Sequence, residues 1–207
     1  MINLKVNFSN LVKQLIIIFI LFFSVNVFSE ENKILELIEK NWNETQTISG
    51  RFFQILDNDK TISGNFYIEK PYKSSFTYDN KLENIITSKF FINIVDQEGY
   101  VIDKYPIINQ PIYKLMSEKI SFREIFKILS INQANDEIVI KLLSKNDSSN
   151  IGTQINLTFS NSNYSLKNWE IIDELGQSTY LEFTKVRKNI SIEPELFVVK
   201  VRWINTR

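Results

Sequence analysis

Residues 61–69 read Thr61-Ile62-Ser63-Gly64-Asn65-Phe66-Tyr67-Ile68-Glu69, and this stretch decides the fold. Its even positions are apolar or glycine, whereas polar side chains dominate its odd positions. Successive side chains of a β-strand point to opposite faces of the sheet, so the period of two predicts a half-buried strand. Ile48, Gly50 and Phe52 alternate in the same way just before it. Asp57-Asn58-Asp59-Lys60 supplies a turn between them, which predicts an antiparallel hairpin.

Further segments with strand character follow at short intervals on both sides of a central interruption. They are residues 73–79, 82–88, 90–96 and 100–105, then 137–144, 153–159, 164–173 and 177–186, and a last segment at 197–203. The short turns between neighbouring segments require antiparallel pairing, because a parallel crossover needs a dozen or more residues. The pattern therefore predicts a single domain with one antiparallel sheet of about eleven strands.

Helical spacing of apolar residues occurs in two places. Residues 34–42 carry Ile34, Leu35, Leu37, Ile38 and Trp42 on one face, which predicts an N-terminal amphipathic helix. The region from Pro111 to Leu129 predicts two more short helices, and Ser121 with Glu124 forms a capping-box pattern at the second.

A large antiparallel sheet buries its apolar face by curling, by splitting into a sandwich or by closing into a barrel. The predicted helices are too short to build a core of their own, so we expect them to cover the concave side of a half-barrel. This arrangement encloses a cavity lined by Phe, Ile, Leu and Tyr, which is typical of a lipid site. The alternative is that these side chains fill an ordinary packed core.

The first 29 residues predict a secretory signal peptide. Lys5 and Lys13 precede nine unbroken apolar residues, 15–23, and Val27-Phe28-Ser29 fits a small-x-small cleavage pattern. An uncleaved membrane anchor is the alternative, but a span needs about 20 apolar residues. We therefore predict cleavage after Ser29, a signal peptide over residues 1–29 and a domain over residues 30–207.

The composition excludes several classes of chemistry. The chain has no Cys and no His, which removes thiolate nucleophiles, disulfides, the serine–histidine relay and ordinary zinc sites. Lys and Arg balance Asp and Glu at 24 each, and a nucleic-acid binder usually has a basic surplus. An enzyme with paired carboxylates remains the rival class. Its candidates are Asp57/Asp59, Asp96/Asp103 and Asp173/Glu174, all in or beside predicted turns where acidic residues serve local roles.

Several segments resemble the periplasmic lipoprotein carriers, the LolA family. Gly50-Arg51-Phe52-Phe53-Gln54 resembles the family's F-x-Q first strand, and residues 63–71, which end in Lys70-Pro71, resemble its strand ending in Arg-Pro. Lys73 with Phe76-Thr77-Tyr78 resembles the following aromatic strand. The other matching segments are residues 95–100, which contain an acidic-glycine hairpin, the lid-helix region 111–129, and Pro194-Glu195-Leu196-Phe197.

The resemblance implies a half-barrel capped by lid helices over a hydrophobic cavity, with no cofactor, no metal and no catalysis. Such carriers are chaperones that take acylated lipoproteins from an inner-membrane lipoprotein-releasing ABC transporter. They act as monomers and deliver this cargo across the periplasm to an acceptor protein at the outer membrane, or to the membrane itself. A non-transporting lipid-sensing or glycolipid-binding domain of the same fold is the alternative function.

Applied to this sequence, the resemblance assigns a set of cavity residues and a lid latch. The expected lining residues are Phe52, Phe66, Phe76, Phe91, Leu115, Met116, Phe122 and Phe126. The latch position, an Arg in the family, is Lys70 here, and Ser74 replaces a family Phe. Lys offers a compact charge in place of the planar guanidinium of Arg, so the latch geometry should differ. An ordinary solvated cation is the alternative interpretation of Lys70.

Overall fold

A computed structural model describes residues 31–56, 60–79, 83–107, 110–144 and 152–202. The predicted signal peptide and its cleavage site lie outside these ranges, as do Asp57 and Asp59. The chain divides into two compact units, Met1–Ile38 and Glu39–Arg207. No helix within the described ranges is both long enough and apolar enough to cross a membrane.

Eleven strands of the second unit form one open, wholly antiparallel sheet. Those before the central helices are β1 (Thr47–Ile55), β2 (Thr61–Glu69), β3 (Lys73–Tyr78), β4 (Asn84–Thr87), β5 (Phe91–Val95) and β6 (Val101–Pro106). Those after them are β7 (Phe126–Ala134), β8 (Glu137–Ser144), β9 (Gln154–Ser160), β10 (Leu166–Ile172) and β11 (Ser178–Lys188). The spatial order is β6-β5-β4-β3-β2-β1-β11-β10-β9-β8-β7, so two meanders join where β1 pairs with β11.

The helices are short. Helix α1 covers residues 31–44, α2 is Pro111–Leu115 and α3 is Phe122–Ile125, and Pro194–Phe197 forms a 3-10 turn. Together with the open sheet they confirm the predicted fold class, mainly β with a half-barrel arrangement. The predicted strand at residues 61–69 is confirmed with the same bounds.

Two segments differ from the sequence prediction. The second lid helix ends at Ile125, and the chain continues from Phe126 as strand β7, which pairs with β8. Of the predicted last strand, residues 197–203, the described part up to residue 202 is instead the end of the 3-10 turn followed by a single bridge from Lys200 to Tyr100. The predicted number of strands equals the observed number because the prediction missed β7 and wrongly counted the segment from Phe197 as a strand.

Glycines make room for two phenylalanine rings at the centre of the sheet. In the pairing of β1 with β2, Phe52 lies opposite Gly64 and Gly50 lies opposite Phe66. A Cβ atom at Gly64 would lie 2.7 Å from the Phe52 ring and 2.1 Å from the carbonyl oxygen of Thr77. A Cβ atom at Gly50 would lie 2.9 Å from the Phe66 ring. Each ring is almost wholly buried above the facing glycine.

Replacing Gly64 with Ala should therefore destabilise the protein by about 1–3 kcal/mol, the usual cost of overpacking a core. Urea unfolding followed by circular dichroism measures this change. Thr61→Ala, at an exposed position of the same strand, is the control and should change the free energy of unfolding by no more than about 0.5 kcal/mol. Equal stability of Gly64→Ala and the parent protein would contradict the close ring–glycine packing.

Candidate lipid-binding cavity

An apolar cavity of about 250 Å³ lies between the inner face of the sheet and α2. Strands β3, β4 and β5 contribute one wall, formed by Ser74, Phe76, Tyr78, Ile85, Thr87 and Ile92. The opposite wall belongs to β1, β10 and β11 and is formed by Gln54, Trp169, Ile171, Thr179 and Leu181. Ile107, Ile112 and Met116 close the cavity from the lid side. None of these lining residues is charged, so the site suits an uncharged, largely hydrocarbon ligand.

A cluster of aromatic rings forms the floor beside this cavity. Phe52 and Phe76 meet edge to face at 5.3 Å between ring centres, and Phe183 meets Phe66 at 4.7 Å and Trp169 at 5.0 Å. Aromatic pairs at such distances and tilts add packing energy beyond simple burial. The floor is therefore closely packed.

The predicted lining residues occupy several different places. Phe76 and Met116 line the cavity, whereas Phe52, Phe66, Leu115, Phe122 and Phe126 are buried without lining it. Phe91 lies outside the cavity because its strand neighbour Ile92 occupies the inner face, and the Lys104 ammonium lies 3.7 Å from the Phe91 ring centre. The structure thus brings two of the eight predicted residues together at this cavity.

The larger part of the lining was not singled out from the sequence. Trp169 and Ile171 alternate along β10, and Leu181 lies opposite both Trp169 and Gln54 in the sheet. The period of two in β10 could have placed Trp169 and Ile171 on one face. Only the pairing of β1 with β11 brings them beside Phe76, a residue more than ninety positions earlier.

The C-terminal half of α1 holds the lid through hydrogen bonds. The Trp42 indole N–H donates to the Leu115 carbonyl at 3.0 Å. The Asn43 side chain bonds both backbone groups of Ile120, with its amide donating at 2.9 Å and its oxygen accepting at 2.8 Å. The Glu39 carboxylate accepts from the Phe122 N–H at 2.6 Å. These contacts tie residues 115–122 to one short helical stretch.

Tyr72, the residue just before β3, also contacts the lid. The Tyr72 N–H donates to the Met116 carbonyl at 2.9 Å. The Tyr72 ring stacks on the Tyr113 ring at 4.3 Å, with the planes nearly parallel. Helix α2 is therefore held mainly at its C-terminal end, where Leu115 and Met116 are almost wholly buried.

The N-terminus of α3 is capped by a residue outside the predicted capping box. Ser121 is the N-cap residue, but its side chain makes no capping hydrogen bond. The Glu39 carboxylate accepts the Phe122 N–H instead. An acidic side chain near a helix N-terminus satisfies free N–H groups, and here it comes from α1 rather than from the local sequence.

Lys70 is buried, with only 5% of its surface exposed. Its ammonium donates to the Trp42 carbonyl at 2.5 Å and lies 5.6 Å from the centre of the Trp42 ring. Burial lowers the pKa of Lys70 to about 8. Lys70 therefore contacts the same residue whose indole N–H donates to the Leu115 carbonyl.

The described aspartates among the candidates for catalysis bond groups close to them in the sequence. The Asp96 carboxylate accepts from the N–H groups of Glu98 and Tyr100, and Asp173 accepts from those of Leu175 and Gln177. Asp103 bonds the neighbouring Tyr105 hydroxyl and the Lys104 N–H. Within the described ranges, no group of three or more acidic side chains is placed to hold a metal ion.

The lowered pKa of Lys70 has a consequence for stability. Between pH 8 and its ordinary value of 10.5, the unfolded chain keeps the proton on Lys70 while the folded chain loses it. Raising the pH through this window therefore stabilises the folded state, by up to about 3 kcal/mol from this group alone.

Urea unfolding at a series of pH values, on the parent and on Lys70→Met, measures this contribution. The parent should gain stability relative to the variant as the pH rises from 8 to 10.5. Other groups, including Lys188, titrate in both proteins and cancel in the difference. A pH-independent difference would show that Lys70 is not desolvated in the folded protein.

Several solved structures are similar to this chain at low sequence identity. The crystal structure of an uncharacterized conserved protein from Thermus thermophilus has a TM-score of 0.47 and 10% identity, covering 83% of this chain and 98% of that one. A LolA superfamily protein from Nitrosomonas europaea has a TM-score of 0.41 and 9% identity, covering 78% and 96%. A putative outer membrane lipoprotein-sorting protein domain from Vibrio parahaemolyticus has a TM-score of 0.41 and 11% identity, covering 81% and 94%.

None of the curated protein sequences compared with this chain matches it. The family model described as outer membrane lipoprotein carrier protein LolA matches residues 43–200, about three quarters of the chain. The match begins at the last turn of α1 and ends beyond the 3-10 turn, so it spans the whole sheet and both lid helices. The chain therefore belongs to the LolA family.

Proposed function

We propose that this protein is a periplasmic carrier that holds the acyl chains of lipoproteins in its cavity and transfers them from the inner to the outer membrane. The LolA family consists of periplasmic carriers of lipoprotein or lipid cargo, which are not enzymes. The observation that carries the proposal is the uncharged cavity between the aromatic floor and α2. Hydrocarbon is the ligand chemistry that such a lining favours.

The size of the cavity indicates how the carrier works. At about 250 Å³ it lies below the roughly 300–1,000 Å³ of typical ligand sites, so we regard the structure as the closed form. An entering acyl chain gains about 0.8 kcal/mol for each buried CH₂ group. Moving α2 outward breaks a few hydrogen bonds, each worth about 1 kcal/mol net, and exposes the buried side chains of Leu115 and Met116, at about 1.5–3 kcal/mol each. A partly inserted chain therefore offsets the cost of opening.

Lys70 is the proposed latch of this closed form. The Lys70 ammonium donates to the Trp42 carbonyl, and the Trp42 indole N–H donates to the Leu115 carbonyl, so Trp42 connects Lys70 to α2. Cargo binding must break the hydrogen bonds of the closed form, so a more stable closed form lowers the affinity for cargo. This balance favours delivery to an acceptor.

The proposed pathway includes a signal peptide removed after Ser29, uptake as a monomer from a lipoprotein-releasing ABC transporter, and delivery to an outer-membrane acceptor protein or to the membrane. A lipid-sensing or glycolipid-binding role would use the same cavity without delivery. Transfer of cargo to acceptor membranes separates these functions, because a sensing domain has no need to release its ligand.

Binding is tested with a synthetic diacylated lipopeptide that carries a fluorophore on its peptide part. Fluorescence anisotropy should show saturable binding to the mature protein. Ile112→Glu places a carboxylate at the lid side of the cavity and should weaken binding at least tenfold, because the charge must be desolvated.

Lys114→Glu introduces the same residue into the same helix at a position that does not line the cavity, and it should bind within about twofold of the parent. Circular dichroism establishes that both variants are folded. No saturable binding by the parent would refute the carrier proposal. Equal weakening by both variants would refute the assignment of the cavity.

Release is tested by following transfer of the bound lipopeptide to acceptor vesicles. Lys70→Leu should slow release several-fold and alter uptake less, because the charge-assisted hydrogen bond to Trp42 stabilises only the closed form. Lys127→Leu, at an exposed position of β7, is the matched control and should behave like the parent. Equal uptake and release in Lys70→Leu and the parent would dismiss the latch.

A further inference from the structure

Two tyrosine rings meet face to face where the lid touches the sheet. Tyr113 lies on α2, and Tyr72 lies in the turn between β2 and β3. Their ring centres are 4.3 Å apart, and the ring planes differ by only 9°. All eight tyrosines fall within the described ranges, and among them no other two tyrosine rings are in contact. The pair is therefore a specific feature of the closed lid.

Tyr72 is held in place on both sides of its backbone. Its N–H donates to the Met116 carbonyl at 2.9 Å, and its own carbonyl accepts from the Thr87 hydroxyl at 3.3 Å. Its φ angle is 67°, in the left-handed region that bulky residues rarely adopt. The backbone of Tyr72 is thus fixed at the point from which its ring reaches Tyr113.

The two phenol groups lie side by side. Burial and the neighbouring Tyr113 hydroxyl raise the pKa of the Tyr72 hydroxyl. Because the rings are nearly parallel and their hydroxyls are neighbours, the ring carbons next to the hydroxyls, the ortho carbons, are also brought together. Both side chains are half-buried, so small molecules in the solvent reach them.

Paired phenols can be joined by oxidation. A heme peroxidase with hydrogen peroxide removes one electron and one proton from each phenol, which gives two phenoxyl radicals. The radicals combine through one ortho carbon of each ring, and the hydrogen on each of these carbons then moves to the adjacent oxygen. Overall, two tyrosines and one hydrogen peroxide give one dityrosine and two waters.

The sequence leaves this oxidant few sulfur targets. The chain has no cysteine, so peroxide cannot form a sulfenic acid or a disulfide. Of its two methionines, Met1 belongs to the predicted signal peptide and Met116 has only 3% of its surface exposed. The half-buried tyrosine pair is the more accessible group beside the lid.

We propose that Tyr72 and Tyr113 form a site of oxidative cross-linking, at which dityrosine joins α2 to the turn between β2 and β3 and keeps the lid closed. Tyr113 directly follows Ile112, which lines the cavity, so the new bond also holds this wall in place. Formation of the bond depends only on the ring contact. Its effect on cargo rests on the proposed function, because it assumes that α2 moves outward when an acyl chain enters.

Formation is tested by treating the mature protein at low concentration with a heme peroxidase and hydrogen peroxide. The monomer fraction should gain the blue fluorescence of dityrosine, and mass spectrometry should find the peptides of residues 72 and 113 joined with loss of two hydrogen atoms. Tyr113→Phe should lack this product. Tyr105→Phe is the control and should form it like the parent, because Tyr105 is 48% exposed and bonds Asp103. An equal yield of monomeric dityrosine in Tyr113→Phe and the parent would overturn the site.

The effect on the lid is tested by binding of the fluorescent lipopeptide to the isolated cross-linked monomer. Its affinity should fall at least tenfold below that of the untreated parent, because the ligand then meets only the small closed cavity. Oxidant-treated Tyr113→Phe should bind within about twofold of the same variant untreated, which separates the cross-link from oxidation of other side chains. Undiminished affinity of the cross-linked monomer would overturn the closure of the lid.

Bound cargo should in turn protect the pair. With saturating lipopeptide added before the oxidant, the yield of dityrosine should fall several-fold, because an outward α2 carries Tyr113 away from Tyr72. An equal yield with and without bound lipopeptide would overturn the link between the pair and the lid. Failure of the untreated parent to bind lipopeptide would instead refute the proposed function, and the cross-linking site would then be judged by formation of the bond alone.

Discussion

The reciprocal packing of two phenylalanines over two glycines is the constraint on which the rest of the structure depends. Phe52 covers Gly64 and Phe66 covers Gly50, so the inner faces of β1 and β2 come close without a clash. Glycines opposite aromatic rings let a sheet bend, which an open half-barrel requires. Strand β1 also pairs with β11, so this packing lies where the two meanders join. The rings of Phe52 and Phe66 form part of the aromatic floor at that place.

The lid is attached to the rest of the domain mainly through the C-terminal end of α2 and the residues that follow it. Its polar contacts go to Glu39, Trp42 and Asn43 in the C-terminal half of α1 and to Tyr72 just before β3, while Ile112 lines the cavity. Burying the Lys70 side chain costs free energy, because removal of its ammonium group from water disfavours the charged form. The lowered pKa of Lys70 reflects this cost.

Sequence periodicity predicted most of the sheet, and its failures have physical causes. Phe122, Ile125, Phe126 and Leu129 have helical spacing, yet from Phe126 the chain is a strand because β8 offers an edge to pair with. At the C-terminus, an apolar run beginning at Phe197 suggested a strand, but Val198 and Val201 remain 60% exposed and one bridge joins this segment to Tyr100. Local pattern cannot reveal which neighbours are available.

The sequence by itself determined the β-rich class, the antiparallel order within each meander, the buried face of β2, the family and the exclusion of cysteine and histidine chemistry. These properties depend on side-chain type and short-range alternation. Only the tertiary structure decided which of the many apolar residues line a cavity, that Lys70 is buried against Trp42, and that Gln54 and Trp169 line the same cavity. Those facts depend on the pairing of β1 with β11, which unites residues more than a hundred positions apart.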